Sequence, residues 1–248
     1  MLSIDRKNTW EVFPINAGEF EPMPAIYKNR GGEANIFYNV PSIIYLVRKK
    51  NDFILIDTSF SDVDEIKQKM GLHCLRKHSI DYLLGQYNVR LIDIKTVILT
   101  HLHWDHAGSI DLFPNAKFIC QKDELDWLSK LYEWDVGYPS WFARSLLNKK
   151  DKLMLIEGDY KIDKGLQVWL CGGHSPGSQM VNVKTNNGNC IITGDNIMFY
   201  DNMKNNTPVG LFHNLKACIN SMERVKKEGN YFIPSHDWKV FGENNREI

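Results

Sequence analysis

The chain has 248 residues, of which 43% are hydrophobic and 24% are charged, a composition typical of a globular protein with a sizeable core. Thirty Lys and Arg residues balance thirty Asp and Glu residues, so no net field favours binding to nucleic acid or to an anionic membrane surface. We therefore expect one domain spanning residues 1–248 whose partner is a small molecule.

The cysteines and the N-terminus indicate the cellular compartment. Five cysteines are scattered along the chain without a Cys-X-X-Cys pair, which favours a reducing compartment. Cys171 could be a soft metal ligand, but a single cysteine at a strand end more often serves packing. Residues 1–7 lack the apolar stretch of a signal peptide, and no run of about 20 apolar residues occurs. We expect a soluble cytoplasmic protein.

The first 40 residues are polar and contain several Pro, Gly and aromatic residues. This pattern predicts an opening strand followed by an irregular loop. The alternative is a loop that covers a functional site, with Met23, Ile26, Phe37 and Tyr38 as its apolar wall.

A β-hairpin is predicted at residues 43–57, where two runs of β-branched and aromatic residues flank a charged turn. Asp57, at its end, has a side chain that favours local hydrogen bonds to the backbone. Residues 61–88 carry apolar side chains at helical spacing and predict two helices. His73 and His78 lie in that segment without further donors at metal-ligand spacing, so we interpret them as surface or packing residues.

The densest group of reactive side chains follows a buried strand predicted at residues 96–100. His101, His103, Asp105 and His106 fall within six positions. In an extended backbone, residues two apart point the same way, so His101 and His103 can bind one ion. The next two donors then point elsewhere. Four donors that cannot all reach one ion indicate two ions side by side.

Further metal donors stand at the ends of three later apolar runs. His174 follows the run at 166–170, Asp195 follows the run at 189–193, and His236 closely follows another apolar run. Loops at strand ends carry functional groups on a rigid scaffold. These three side chains could therefore complete two metal sites.

Regular structure is also predicted between and after these donors. The pattern indicates a helix at 107–113, a strand at 117–121 and a helix at 122–132. The connection at 134–142 is unusually aromatic. It is either an apolar cluster packed under a loop or, the interpretation we favour, one side of a hydrophobic acyl pocket.

The second half of the chain repeats the order of strands followed by a helix. Short strands are predicted at 153–156, 166–170, 179–184 and 189–193, the last two joined by a turn with Asn-Gly at its centre. Residues 211–227 then form an amphipathic helix that stops at a glycine. The sequence thus predicts an α/β fold without a low-complexity linker.

The run His101-Leu102-His103-Trp104-Asp105-His106, followed by His174, Asp195 and His236, resembles the dinuclear hydrolase pattern of the metallo-β-lactamase superfamily. Within that superfamily the chain is most similar to the N-acyl homoserine lactonase group, and glyoxalase II is a more distant relative. The resemblance implies an αββα sandwich, in which two mixed β-sheets lie face to face with helices outside. The metals would lie between the sheet edges.

The resemblance also implies how the ions are held. His101, His103 and His174 would bind one ion, Asp105, His106 and His236 the other, and Asp195 would bridge them. Imidazoles and carboxylates without thiolates suit Zn²⁺, with Mn²⁺, Fe²⁺ or Co²⁺ as alternatives. A hydroxide shared by ions about 3.5–4 Å apart would attack a carbonyl at neutral pH.

Asp57 would brace the metal loop if the resemblance holds. Similar proteins carry Asp-Thr-Gly at this point, and here Ser59 replaces the glycine. A plain turn aspartate is the alternative.

The expected reaction is hydrolysis of a lactone, ester or thioester of a small molecule. Lactonases of this group usually place a tyrosine three residues after the bridging aspartate, but this position is Met198. Tyr200 is the candidate replacement, and Asp105 is the second candidate catalytic residue.

Three other functions remain open. They are a glyoxalase II-like thioesterase, a mononuclear iron oxygenase of the same fold, and a binder that keeps its metals without turnover. A glyoxalase II-like enzyme would normally carry a C-terminal helical domain. Neutral charge disfavours a nuclease or phosphodiesterase, and a homodimer is left open.

Overall fold

The computed structural model describes residues 9–242 of the chain. Residues 1–7, in which no signal peptide is predicted, lie outside the described residues. Seven strands form the first sheet: β1 (Glu11–Pro24), β2 (Phe37–Lys49), β3 (Asp52–Ile56), β4 (His73–Leu75), β5 (Thr96–Ile98), β6 (Lys117–Gln121) and β7 (Leu153–Ile156). Their order is β4-β1-β2-β3-β5-β6-β7. The sheet is mixed, because β3, β5, β6 and β7 run parallel and the remaining pairs are antiparallel.

Five strands form the second sheet: β8 (Tyr160–Asp163), β9 (Leu166–Leu170), β10 (Gln179–Thr185), β11 (Gly188–Ile192) and β12 (Tyr231–Ile233). Their order is β12-β11-β10-β9-β8. Only the pair of β11 and β12 is parallel. Both sheets are therefore mixed, as the resemblance implied.

Eight helices complete the described fold: α1 (Ala25–Lys28), α2 (Val63–Met70), α3 (Ile80–Gly85), α4 (Trp104–Ala107), α5 (Lys122–Leu128), α6 (Ser140–Leu147), α7 (Tyr200–Lys204) and α8 (Leu215–Glu228). Short 3₁₀ turns lie at Leu91–Asp93, Ile110–Leu112, Lys150–Lys152, Gly194–Asn196 and Trp238–Phe241. None of the helices in residues 9–242 combines the length and apolarity needed to cross a bilayer.

The two sheets pack face to face over a shared core. Tyr45 and Ile98 of the first sheet contact the same apolar cluster as Val168 and Val181 of the second. Because side chains alternate along a strand, the neighbouring positions point outward. Helices from α2 to α6 cover the outer face of the first sheet, and α8 covers that of the second. The layers are helix, sheet, sheet and helix.

Three predicted helices have different bounds in the structure. The helix predicted at 107–113 is wrong: α4 ends at Ala107, and a separate 3₁₀ turn follows. The Gly108 and Ser109 amides donate to the Ser59 carbonyl, so they cannot continue the helical ladder. The helix predicted from 211 begins at Leu215, and the helix predicted to 132 ends at Leu128. Strands β4 and β8 and helices α1, α6 and α7 were not predicted.

Candidate metal centre

All seven predicted donors lie together at one edge of the sandwich, and each is at most 7% exposed. The structure brings them into three overlapping groups in which the ligand atoms lie within 4.8 Å of one another. These groups are His101, His103 and His174; His101, His106 and Asp195; and Asp105, His106 and His236. The convergence expected from strand ends is therefore present.

Both sheets contribute loops to this cluster. After β5 the backbone bends at Thr100 and is extended at His103, which precedes α4. Asp105 and His106 lie in the single turn of that helix. His174 follows β9 in a turn, and Asp195 lies in a 3₁₀ turn directly after β11. Extended and helical segments thus point successive donors of one loop toward different parts of the cluster.

Three imidazoles are oriented through the nitrogen that faces away from the cluster. His174 Nδ1 donates to the Leu211 carbonyl and His236 Nδ1 to the Pro41 carbonyl, both at 2.8 Å. His106 Nδ1 lies 2.8 Å from a carboxylate oxygen of Asp57. A proton held on Nδ1 leaves Nε2 as a lone-pair donor, the arrangement found for histidine ligands of metals.

Asp195 faces both halves of the cluster at once. Its Oδ1 lies 3.1 Å from Nε2 of His106 and 3.1 Å from Nε2 of His236. Its Oδ2 lies on the other side, 3.5 Å from His174 Nε2 and 4.0 Å from His101 Nε2. A carboxylate with one oxygen toward each group can bridge two ions.

The charge balance of the cluster differs between its two halves. Burial and neighbouring imidazoles lower the pKa of His101 and His103 well below the ordinary value, which keeps both rings neutral. Burial also opposes charge on His106, but nearby carboxylates, Asp195 first, outweigh it and raise its pKa. Although burial favours the protonated form of Asp195, His236 and His106 hold its pKa well below the usual range. The protons on these imidazoles balance the carboxylate charge, and a divalent cation would replace them on binding.

The donor set fits two divalent ions. His101 Nε2 is buried and has no hydrogen-bond partner among the described residues. His174 Nε2 and His103 Nδ1 lie 3.0 Å apart with their ring nitrogens facing each other. A buried acceptor without a donor is costly unless an ion binds it. Imidazole and carboxylate ligands without thiolate match Zn²⁺ and its first-row neighbours.

Asp57 braces the loop that carries the central donors. Its Oδ1 accepts from the Thr100 amide at 2.7 Å, and its Oδ2 accepts from the Thr100 hydroxyl at 2.8 Å and faces His106. Asp57 is 1% exposed, so these bonds are shielded from water. This favours the bracing role over a plain turn. Ser59, where similar proteins carry glycine, has a φ of 63°.

Glu124 is a buried residue of this centre that the sequence analysis missed. Its Oε2 accepts from the Leu102 amide at 2.8 Å and the Tyr138 hydroxyl at 2.7 Å. Its Oε1 accepts from the Ser175 hydroxyl at 2.5 Å and the Gly177 amide at 2.8 Å. One carboxylate therefore joins the loop of His101 and His103 to the loop of His174. The sequence does contain a signal for this role: Glu124 lies four residues before Leu128, which places a glutamate on the apolar face of the predicted helix.

A cavity of about 270 Å³ opens over the cluster. Donors at its floor are His103, Asp105, Asp195 and His236. Its other lining residues are mostly apolar: Phe20, Pro22, Met23, Pro24, Tyr27, Met70, Leu72, Trp104, Val136, Gly137, Met198 and Leu211. An apolar cleft with a few converging polar groups is typical of a small-molecule site.

The two predicted pocket walls are only partly present in this cavity. Met23 of the N-terminal region lines it, whereas Ile26, Phe37 and Tyr38 are exposed side chains outside its lining. From the aromatic connection at 134–142, Val136 and Gly137 line this cavity, whereas Trp134, Asp135 and Tyr138 line a neighbouring cavity beside His103 and His174. Strand β1 and helix α1 supply five of the twelve lining residues that are not donors.

Comparison with known proteins bears directly on this centre. The sequence matches the metallo-beta-lactamase superfamily over residues 38–236, a range that contains every donor. The chain belongs to the metallo-beta-lactamase superfamily. The αββα fold expected from the resemblance is confirmed.

Several relatives and solved structures of this superfamily are lactonases. An N-acyl homoserine lactonase of Bacillus thuringiensis is 27% identical over 218 residues, covering 80% of this chain and 82% of the relative. A structure of a variant of the B. thuringiensis AiiA lactonase with N-decanoyl-L-homoserine bound at the active site has a TM-score of 0.77 and 26% identity, covering 93% and 94% of the two chains.

A third comparison concerns the metals of such an enzyme. An N-acyl homoserine lactone hydrolase with its product N-hexanoyl-L-homoserine at the catalytic metal center has a TM-score of 0.77 and 25% identity, with coverage of 93% and 94%. The expected similarity to the lactonase group is confirmed.

Met198, at the position where the resemblance led us to expect a tyrosine, lines the cavity. Tyr200 begins α7, and its ring lies 5.2 Å from that of Phe232. It is absent from the described cavity lining. Burial, followed by the nearby Asp237 carboxylate, raises the pKa of Tyr200 to about 12. Its catalytic role stays a prediction.

Cys171 lies outside the three donor groups. Its Sγ is 3.4 Å from the Trp169 carbonyl, and burial raises the pKa of the thiol to about 12. A protonated thiol is a poor metal ligand. The packing interpretation of Cys171 is therefore favoured, and all five cysteines are free thiols.

Proposed function

We propose that this protein is a metal-dependent hydrolase that opens the lactone ring of an acylated homoserine lactone or cleaves a similar ester of a small molecule. The observation that carries the proposal is Asp195, whose two oxygens face separate groups of imidazoles directly beneath an apolar cavity. The lactonases described above, similar in sequence and fold, support the choice of substrate.

The proposed cofactor is a pair of Zn²⁺ ions. One would be held by His101, His103 and His174 and the other by Asp105, His106 and His236, with Asp195 shared between them. When bound, such a pair polarises a carbonyl and makes water nucleophilic near neutral pH. The supporting features are the donor chemistry and the fixed Nδ1 protons.

The remaining cavity residues would bind and orient the substrate. Phe20, Met23 and Leu211 supply apolar surface for an acyl chain, and a volume of about 270 Å³ limits the substrate to a small molecule. Among the described lining residues, Tyr27 alone carries a hydroxyl group. It can donate a hydrogen bond to a substrate oxygen where the usual tyrosine is replaced by Met198.

Asp105 combines two proposed roles. Its carboxylate belongs to the donor group with His106 and His236, and it also lines the cavity. A carboxylate at that boundary can take a proton from the attacking water and pass it to the alkoxide that leaves when the ring opens. This step would make Asp105 a catalytic residue as well as a ligand.

The test uses purified protein loaded with zinc and analysed for metal content. Acylated homoserine lactones with short and long chains, simple esters and a glutathione thioester are offered as substrates. We expect two ions per chain, lactone turnover, and loss of turnover in Asp195→Ala, with Asp163→Asn as a surface control. Two bound ions without turnover of any lactone or ester would contradict the proposal.

The same measurements separate the alternatives. Preference for the thioester would favour the thioesterase, and one iron per chain would favour the oxygenase. Binding of lactone without turnover would indicate a non-catalytic binder.

A further inference from the structure

A second and larger cavity lies on the other side of β1 from the metal centre. Its volume is about 540 Å³, within the range of small-molecule sites. Phe20 lines the metal cavity and packs 5.5 Å from the His236 ring, whereas its neighbour Glu19 lines the second cavity. Adjacent strand residues point to opposite faces. The two cavities share no lining residue.

Glu19 is an unpartnered carboxylate in this second cavity. The residue is only 6% exposed, and no hydrogen bond or ion pair within residues 9–242 involves its side chain. Every other acidic residue that is buried to a similar degree in the described structure has such partners, as Asp57 and Glu124 illustrate. A buried carboxylate without a partner is costly. Its retention beside an open cavity points to a ligand that supplies the missing donor.

Asn39 and Trp238 lie beside Glu19 in the lining of the same cavity. The Asn39 Oδ1 is buried without a hydrogen-bond partner among the described residues. Trp238 Nε1 donates to the Asn39 backbone carbonyl at 3.1 Å, which places the indole beside that amide. The polar end of the cavity therefore presents the Glu19 carboxylate beside the Trp238 indole.

The rest of the wall is mainly apolar. Ile15, Leu75, Leu83 and Tyr87 line it, and the basic side chains at its edge, Lys77 and His78, are exposed. Aromatic faces such as Trp238 attract organic cations. One carboxylate supplies too few ligands for a calcium or magnesium ion.

We propose that this second cavity binds an organic ammonium ion with an apolar chain or ring, whose N–H groups donate to the Glu19 carboxylate. The apolar part lies against Ile15, Leu75 and Leu83. This site is separate from the metal centre and does not depend on the hydrolase proposal.

The test is calorimetric titration of the metal-loaded protein with hexylammonium. We expect one site, at least about tenfold weaker binding in Glu19→Gln, and unchanged binding in Glu21→Gln, which removes the same charge from an exposed position two residues along β1. Hexanol and hexanoate should bind much more weakly. Equal binding of hexanoate, or hexylammonium binding that survives Glu19→Gln, would overturn the proposal.

A measurement on the unmodified protein covers the case in which Glu19→Gln does not fold. The indole N–H signal of Trp238, assigned with Trp238→Phe, should shift on addition of hexylammonium and not on addition of hexanol. An unmoved signal would equally overturn the proposal. A shift that accompanies competitive inhibition of lactone hydrolysis would place the amine at the metal centre and also count against it.

Discussion

Single residues hold the metal centre in a ready geometry. The imidazoles of His106, His174 and His236 each have Nδ1 engaged by a carboxylate or carbonyl, so Nε2 faces the cluster before any ion binds. The ring orientation and tautomer are thereby fixed. Little rearrangement of these three side chains is needed when ions bind.

The Asp57 brace can be tested with Asp57→Asn. The amide would keep the size of the side chain but lose the charge that orients His106, and its NH₂ group would face a donor. We expect metal affinity to fall about 10–100-fold, measured by competition with a chelator. Asp52→Asn, at the exposed start of the strand that precedes Asp57, is the control. An unchanged affinity in Asp57→Asn would show that the brace does not support the site.

Tyr27 and Tyr200 are the two candidates for the tyrosine whose hydroxyl donates a hydrogen bond to the substrate. The Tyr27 side chain lines the metal cavity, whereas the Tyr200 ring packs against Phe232. We expect Tyr27→Phe to lower kcat/KM about tenfold, because one hydrogen bond to the substrate is lost, and Tyr200→Phe to change it by less than about twofold. Steady-state kinetics on one lactone measures both. The reverse order would confirm the sequence-based prediction for Tyr200.

The positions of the metal donors depend more on loops than on strands. Helix α5 supports two of these loops. Glu124 projects from this helix into the core and accepts four hydrogen bonds from Leu102, Tyr138, Ser175 and Gly177. The Tyr138 ring also packs 4.5 Å from the His103 ring. A shift of α5 would therefore move donors from both sheets.

The variant Glu124→Gln tests this role of α5. Its NH₂ group would face two donors that now bond to a carboxylate oxygen, leaving them unsatisfied. We expect the free energy of unfolding of the metal-free protein to fall by about 2–4 kcal/mol, measured by urea denaturation. Asp123→Asn, on the exposed face of the same helix, should change it by less than about 0.5 kcal/mol. Equal stabilities of the two variants would contradict the prediction.

The loop before α6 makes a second contact that depends on glycine. A Cβ on Gly137 would lie 2.3 Å from His103 Nε2, so the backbone fits against this imidazole only without a side chain. We expect Gly137→Ala to displace His103 and to lower kcat about 100-fold. Gly85→Ala, where nothing lies within 4 Å of the added Cβ, is the control. Normal kinetics in Gly137→Ala would mean that the loop moves aside.

The sequence predicted the metal donors, because each of them stands in or close after a recognisable apolar strand. The donors from His101 to His106 follow a strand, and strand ends converge at a sheet edge. The bridging role of Asp195 came only from the family resemblance, because spacing does not show which oxygens face which imidazole. The role of Glu124 was not predicted, because its hydrogen-bond partners lie 14 to 53 residues away in the chain. The helix predicted at 107–113 failed because its amides bond to Ser59.

At the scale of the whole molecule, the metal centre joins the two sheets. His101, His103, Asp105 and His106 follow a strand of the first sheet, and the other three donors follow strands of the second. Each donor group around a single ion site therefore includes residues from both sheets. Bound ions should stabilise the sandwich as a unit.

Removal of the ions should lower the melting temperature. A ligand at about 100 times its Kd stabilises the folded state by about 2.7 kcal/mol. For a domain of this size, that corresponds to about 5–10 °C. Calorimetry with and without a chelator measures the change, and added zinc should restore it. A melting temperature that changes neither with the chelator nor with added zinc would show that the ions do not link the sheets.

The mixed origin of the donor groups also constrains how this protein can be divided or rearranged. A fragment ending near residue 150 would retain only four of the seven donors, and the complementary fragment the other three. Neither piece alone could assemble a full coordination sphere. Reassociation of such halves would be reported directly by metal uptake, which makes the short turn at Lys150–Lys152 a natural place to split the chain.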